Sequence, residues 1–206
     1  MIEIKITLKK VGRKMIRKAE LSDIDQLLEW VWIILEDMEL PLLTEIDSSS
    51  LKNMMKEAME NKNYRYSYSR AFICVRNGKR AGVCFGYKGE LEAVIDDPLN
   101  EKLKEYGIVE PLFEDVETIK GEWYLDSLVT DENFRGQGVA TELIEALPAI
   151  AMAEDENVIG LNCDQQNKKA QQLYLKIGFK TVWECMLANH LYDHMQWKVN
   201  KKSSDL

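Results

Sequence analysis

The chain has 206 residues, 46% of them hydrophobic, which is enough to bury a sizeable core and is most simply read as one domain over 1–206. A formal net charge of −8 argues against general binding to nucleic acid or anionic membrane, and no apolar run approaches the ~18 residues of a membrane span. With 30% charged residues spread along the chain, and no signal-like apolar stretch after Met1-Ile2-Glu3, the expectation is an ordered, soluble, cytoplasmic protein.

Residues 1–18 are basic and alternate (Ile2, Ile4, Ile6, Leu8), which predicts a strand or hairpin at a sheet edge. Ser22-Asp23-Ile24-Asp25 resembles a capping-box start. The helix it opens has apolar residues at 21, 24, 27, 28, 31, 34, 35 and 38, and Pro41 stops it. A second helix starts in Ser48-Ser49-Ser50 and carries Leu51, Met54, Met55 and Ala58 on one face. Strands follow at about 70–76 and 80–86, joined by Asn77-Gly78. That two-residue turn sets Cys74 opposite Ala81 rather than Cys84. Cysteines 74, 84, 163 and 185 have no C-x-x-C spacing, so four reduced thiols are expected and no metal.

From Tyr87 to Glu122 the chain carries 11 acidic residues and four lysines, a net charge of 4 − 11 = −7. The long acidic insertion, 87–121, is either a lid whose carboxylates attract a cationic amine or a solvated excursion with a short helix near Leu99 to Tyr106. Trp123 to Val129 then reads as a half-buried strand, interrupted by Asp126 and Ser127. After a turn at Thr130 to Asn133 comes Arg135-Gly136-Gln137-Gly138, and apolar residues at 139, 140, 143, 144 and 147 mark one helix face. The glycines therefore lie at a helix N-terminus, where unpaired N–H groups form an anion socket. No Lys-Ser/Thr follows Gly138, which argues against a P-loop. Thr141 stands where a dinucleotide fingerprint wants a third small residue.

Pro148 should kink or end that helix. Val158 to Cys163 reads as a strand parallel to the first, because a helix crosses between them. Asn167 caps a helix with Ala170, Leu173, Tyr174 and Ile177 on its apolar face, and Gly178 ends it. Two more strands follow at about 179–188 and 191–199. His190 and His194 lack the Glu of H-E-x-x-H and sit in strand-like sequence, so structural or acceptor-side contacts are their default reading.

Asn133-Phe134-Arg135-Gly136-Gln137-Gly138-Val139-Ala140 resembles the [QR]-x-x-G-x-[GA] acyl-CoA motif of the GCN5-related N-acetyltransferases, with Asn133 where Gln or Arg is usual. A second signature of that family lies downstream, Asn167-Lys168-Lys169-Ala170-Gln171-Gln172-Leu173-Tyr174 followed by Gly178-Phe179. The resemblance covers about 70–199 well and the N-terminal part in element order. It implies an α/β (mixed, α+β-like) fold with a central mixed sheet and helices on both faces. It also implies acetyl-CoA as co-substrate, without metal, and direct transfer of an acetyl group to a primary amine.

By the same resemblance, Leu128 and Val129 would hold the pantetheine arm through their backbone. Arg135, Gly136, Gln137, Gly138, Val139 and Ala140 would bind the pyrophosphate, Thr141 would add a hydroxyl, and Asn167 would contact CoA. Tyr174 would return a proton to the CoA thiolate, with an ordinary phenol pKa of ~10 against ~8.5 for a thiol. The two N-terminal helices would wall the acceptor site, with Trp30, Trp32, Glu36 or Met55 lining it. Ordinary core packing is the alternative reading of those four residues.

An amine of pKa ~10.4 must lose a proton before it attacks. Asp126, a charge inside an apolar strand, is the first candidate base, directly or through water, and Glu122 is the reserve. The acceptor would be a small-molecule or peptide amine, cationic in character, and a homodimer is the candidate assembly. A catalytically silent CoA-binding sensor or interaction module is the second reading. A nucleotide-binding domain using the same loop is a third.

Overall fold

A computed structural model describes residues 8–11, 14–38, 40 and 42–199. Ile2, Ile4, Ile6 and Pro41 lie outside the described residues. Among the described residues the strands are β1 (Leu8–Val11), β2 (Lys14–Lys18), β3 (Ala71–Arg76), β4 (Lys79–Lys88), β5 (Trp123–Thr130), β6 (Val158–Asp164), β7 (Lys180–Leu187) and β8 (His190–Lys198). The helices are α1 (Ile24–Asp37), α2 (Leu42–Glu45), α3 (Ser48–Glu60), α4 (Asp97–Glu105), α5 (Val139–Ala153) and α6 (Lys168–Ile177). This is the mixed α/β architecture expected. The chain divides into two compact units, Met1–Phe85 with Ser127–Ala146 and Gly86–Asp126 with Leu147–Leu206.

In the first unit the hydrogen-bonded order is β1-β2-β3-β4-β5, with β1 to β4 antiparallel. α1 packs on α3, burying Leu27, Val31 and Leu35 from one helix and Leu51, Met55 and Met59 from the other. Trp30, Trp32 and Met55 are buried as well, and Trp32 Nε1 donates to Glu36 Oε1 at 2.7 Å. The capping box lies two residues earlier than its sequence suggests, at Glu20 and Asp23. Asp23, not Asp25, closes it, accepting from the Glu20 N–H at 2.9 Å. Asp47 caps α3 by accepting from Ser50 N–H.

The β3–β4 turn has positive φ at both Asn77 (51°) and Gly78 (78°), as a two-residue hairpin needs. Its register holds for Val75↔Arg80 and then slips by one, so Cys74 faces Gly82 and Ala81 is the extra residue of a bulge. The expected Cys74–Ala81 pairing is therefore corrected. A Cβ at Gly82 would lie 2.6 Å from the Val129 carbonyl oxygen and 2.8 Å from Val139 Cγ1, so this close approach holds the glycine in register.

In the second unit the order is β4-β5-β6-β8-β7. β5 and β6 are parallel, as the crossover requires, with Trp123↔Ile159 and Tyr124↔Gly160. β8 runs antiparallel to both β6 and β7, and the β7–β8 turn at Ala188-Asn189 again has two positive φ angles.

The acidic segment is no bare loop. A 3-10 turn (Gly89–Val94) leads into α4 near the predicted helix, and Ile95, Leu99, Leu103 and Leu112 are buried. Several of its carboxylates are bonded in place. Glu92 accepts from the Glu117 and Thr118 N–H groups and from the Thr118 hydroxyl, and Asp115 accepts from Ala188 N–H. α5 continues through Pro148 to Ala153, so the proline does not end it. Among the described residues no helix is long and apolar enough to cross a membrane.

Candidate active site

In the first unit β5 delivers the chain to Asp131, whose carboxylate accepts from Asn133 N–H at 3.0 Å and from the Asn133 side-chain amide at 3.1 Å. The short motif residue that departs from the family pattern thus serves the turn Glu132–Phe134. Gly136 (φ 73°) and Gly138 (φ 82°) then carry the chain through left-handed conformations that a Cβ would strain, and α5 begins at Val139.

The N–H groups of Arg135 and Gln137 turn back onto the carbonyls of Glu132 (3.3 Å) and Phe134 (3.4 Å), and Glu142 N–H is bonded to the Gly138 carbonyl (3.1 Å). Between them, the amides of Gly136, Gly138, Val139, Ala140 and Thr141 have no acceptor among the described residues. Arg135 to Gly138 are exposed, and the Arg135 side chain has no partner among the described residues. Several unpaired amides and one cation at the positive end of a fifteen-residue helix make a socket for a phosphate group.

Arg76, at the end of β3, backs this loop. Its guanidinium meets the Glu142 carboxylate edge-on (Nη2 to Oε1 2.7 Å, Nε to Oε2 3.3 Å), while Nη1 donates to the Gln137 carbonyl at 2.7 Å. Lys14 Nζ lies 3.0 Å from the same carboxylate. Burial pushes the Glu142 carboxyl up, but the Arg76 and Lys14 contacts outweigh it and hold the group below its ordinary range. Sequence reasoning missed Arg76. A charge closing the otherwise apolar strand Ala71–Val75 was the available signal.

On β5, Leu128 and Val129 are half-buried.

In the second unit, Asp126 is half-buried. Asn167 caps α6, its side chain accepting from Ala170 N–H at 3.1 Å. Tyr174, half-buried on the same helix, lies edge-on to Phe179 (5.7 Å between centroids), and its hydroxyl has no hydrogen bond among the described residues. Burial, helped by nearby Cys163, pushes its phenol up to about 12.

Glu122 is fully buried. Oε1 accepts from Ile119 N–H at 2.9 Å, and Oε2 accepts from the Gln196 amide at 2.8 Å and lies 3.1 Å from His194 Nε2. The Asn162 amide nitrogen donates to the Glu117 carbonyl (2.9 Å) and to Tyr124 OH (3.1 Å). With the amide in this orientation, Oδ1 accepts from His194 Nδ1 at 2.7 Å. His194 Nε2 and Glu122 Oε2 then share one proton between them. Tyr124 OH donates to Glu117 at 2.8 Å, and the Tyr124 ring stacks on His194. These bonds occupy Glu122 and tie it into the interior of the second unit. The network escaped sequence reasoning except for His194, read there as making structural or acceptor-side contacts; its internal hydrogen bonds are of the first kind. Polar His194 and Gln196 at period two in a strand were its signal. Among the described residues no group of three or more His, Cys, Asp or Glu is placed to hold a metal ion.

A glycine turn that leaves a strand and presents unpaired amides at the N-terminus of a long helix is suited, in a mixed α/β protein, to an anion such as a phosphate. The chain belongs to the GNAT acetyltransferase family, whose model, "Acetyltransferase (GNAT) family", matches residues 25–179. A crystal structure described as an acetyltransferase is 40% identical, with a TM-score of 0.82, covering 90% of this chain and 100% of that one. An N-acetyltransferase from Staphylococcus aureus Mu50 is 27% identical, with a TM-score of 0.77, covering 89% of this chain and 100% of that one. GCN5-related N-acetyltransferase 4, chloroplastic, of Arabidopsis thaliana is 37% identical over 59 residues, 29% of this chain. The match spans only 20% of that relative's length.

Proposed function

We propose that the protein is an acetyl-CoA-dependent N-acetyltransferase that moves the acetyl group directly to a primary amine. The observation that carries this reading is the run of unpartnered amides at Gly136 and Gly138 to Thr141, a diphosphate socket with exposed Arg135 beside it. The backbone of Leu128 and Val129, at the end of the strand that leads into this loop, suits the amides of a pantetheine arm.

The amine nitrogen attacks the thioester carbonyl and gives its proton to Asp126, directly or through water. The C–S bond then breaks, and the departing thiolate takes a proton from Tyr174, whose hydroxyl is not engaged elsewhere among the described residues. Asn167 contributes to coenzyme binding. The acidic 87–121 segment favours a cationic acceptor, a small molecule or a peptide.

Release of free CoA thiol from acetyl-CoA across a panel of amines tests the reading. Turnover that falls in Tyr174→Phe supports it. CoA binding without turnover for any amine would favour the second reading, a catalytically silent CoA-binding module, which the departure at Asn133 supports. Thermal stabilisation by ATP or NAD but not acetyl-CoA would overturn both.

A further inference from the structure

We propose that Arg76 is a positioning residue for coenzyme binding, holding the Gln137–Gly138 peptide plane so that the Gly138 N–H points outward into the phosphate socket. The inference rests on the reading of the loop as a diphosphate site. Within one trans peptide the carbonyl of Gln137 and the N–H of Gly138 are fixed in opposite directions. Drawing that carbonyl toward Nη1 of Arg76, at 2.7 Å, therefore turns the next amide away from the guanidinium. The plane joins Gln137 to Gly138, and Gly138, at φ 82°, tolerates either orientation because glycine has little intrinsic preference between them. Something outside the loop has to choose, and the other polar contacts of Gln137 do not. Its own N–H bonds Phe134 and its side chain bonds the Asn133 carbonyl, so neither acts on the 137–138 plane.

A flipped plane would place a carbonyl dipole, negative end first, where a phosphate oxygen must sit. Arg76 is suited to prevent this because one edge of its fork is held by Glu142 in the first turn of α5, leaving Nη1 aimed at the loop. The side chain is almost wholly buried, so the contact is not diluted by water. The same pairing, with Lys14, offsets a carboxylate that would otherwise oppose an anion at the helix N-terminus.

The test is CoA binding by titration calorimetry for wild type, Arg76→Gln, Arg76→Lys and Gly138→Val, with thermal unfolding measured alongside. Arg76→Gln is expected to weaken CoA binding about tenfold or more, the scale of a lost charged hydrogen bond. Arg76→Lys keeps one donor but cannot span Glu142 and the carbonyl together, so it should fall between Arg76→Gln and wild type. It also serves as the test if Arg76→Gln does not fold. Gly138→Val should abolish tight binding whatever Arg76 does. A folded Arg76 variant that binds CoA as tightly as wild type, while Gly138→Val has lost it, overturns the positioning role and leaves the loop assignment standing. If neither Arg76→Gln nor Gly138→Val weakens binding, the loop assignment fails and this inference falls with it.

Discussion

Glu122 and His194 meet in the interior of the second unit, Oε2 3.1 Å from Nε2, with both side chains fully buried. Removing one partner strands the other's polar group without water. Glu122→Ala or His194→Ala should each cost about 3–5 kcal/mol in urea unfolding. The double variant should cost clearly less than their sum, because the two changes disrupt one network. Simple additivity would mean the two residues do not act as a unit.

Gly160 lacks a side chain because Glu122 fills the space, and a Cβ built there falls within its carboxylate. Gly160→Ala is expected to destabilise by about 1–3 kcal/mol through overpacking. In a Glu122→Ala background the same change should be nearly neutral. Equal costs in the two backgrounds would place the obstruction elsewhere.

Tyr174 keeps its proton far into the alkaline range, its phenol being pushed to about 12. The unfolded chain would release that proton near pH ~10. Folding stability linked to this group is therefore intact below about pH 10 and lost as the pH rises to about 12. Tyr174→Phe should flatten that part of the stability profile and, if the proposed acid role holds, lower kcat by about a hundredfold. A kcat unchanged within twofold would remove Tyr174 from proton transfer.

Asp23 supports the start of α1 through Arg17 (2.7 Å) and Arg80 (2.6 Å). Burial pushes its carboxyl up, but the hydrogen bonds from Arg17, the Glu20 N–H and Arg80 more than reverse this and hold it well below the usual carboxylate range. A depressed carboxyl stabilises the fold above its unfolded value of ~4, and that stability is lost as the pH falls below it. Asp23→Asn should thus remove part of the acid sensitivity of unfolding while lowering stability at neutral pH. An acid limb identical in wild type and variant would contradict this.

The parts of the fold that were legible in the sequence are those whose signals are local. The helix after Gly138 declared itself through apolar spacing, the β3–β4 turn through Asn77-Gly78, and α6 through Asn167 and Gly178 at its ends. What escaped depends on residues far apart in the chain. The one-residue slip at Ala81 follows from Gly82 approaching Val129 and Val139. The Glu122 network joins residues 117–124 to 160–162 and 194–196, three stretches whose meeting only the strand order reveals. Arg76 stood out only as a charge closing an apolar strand, and its role was hidden for the same reason, since its partners lie 61 and 66 residues away.

The four cysteines are all free and buried, and burial raises each thiol, Cys74 and Cys163 to about 11 and Cys84 to about 12. Thioesters exchange readily with thiolates, so a protein that stores an activated acyl group beside its own sulfur risks marking itself. With all four thiols protonated and enclosed at neutral pH, none of them competes as a nucleophile for an acyl thioester.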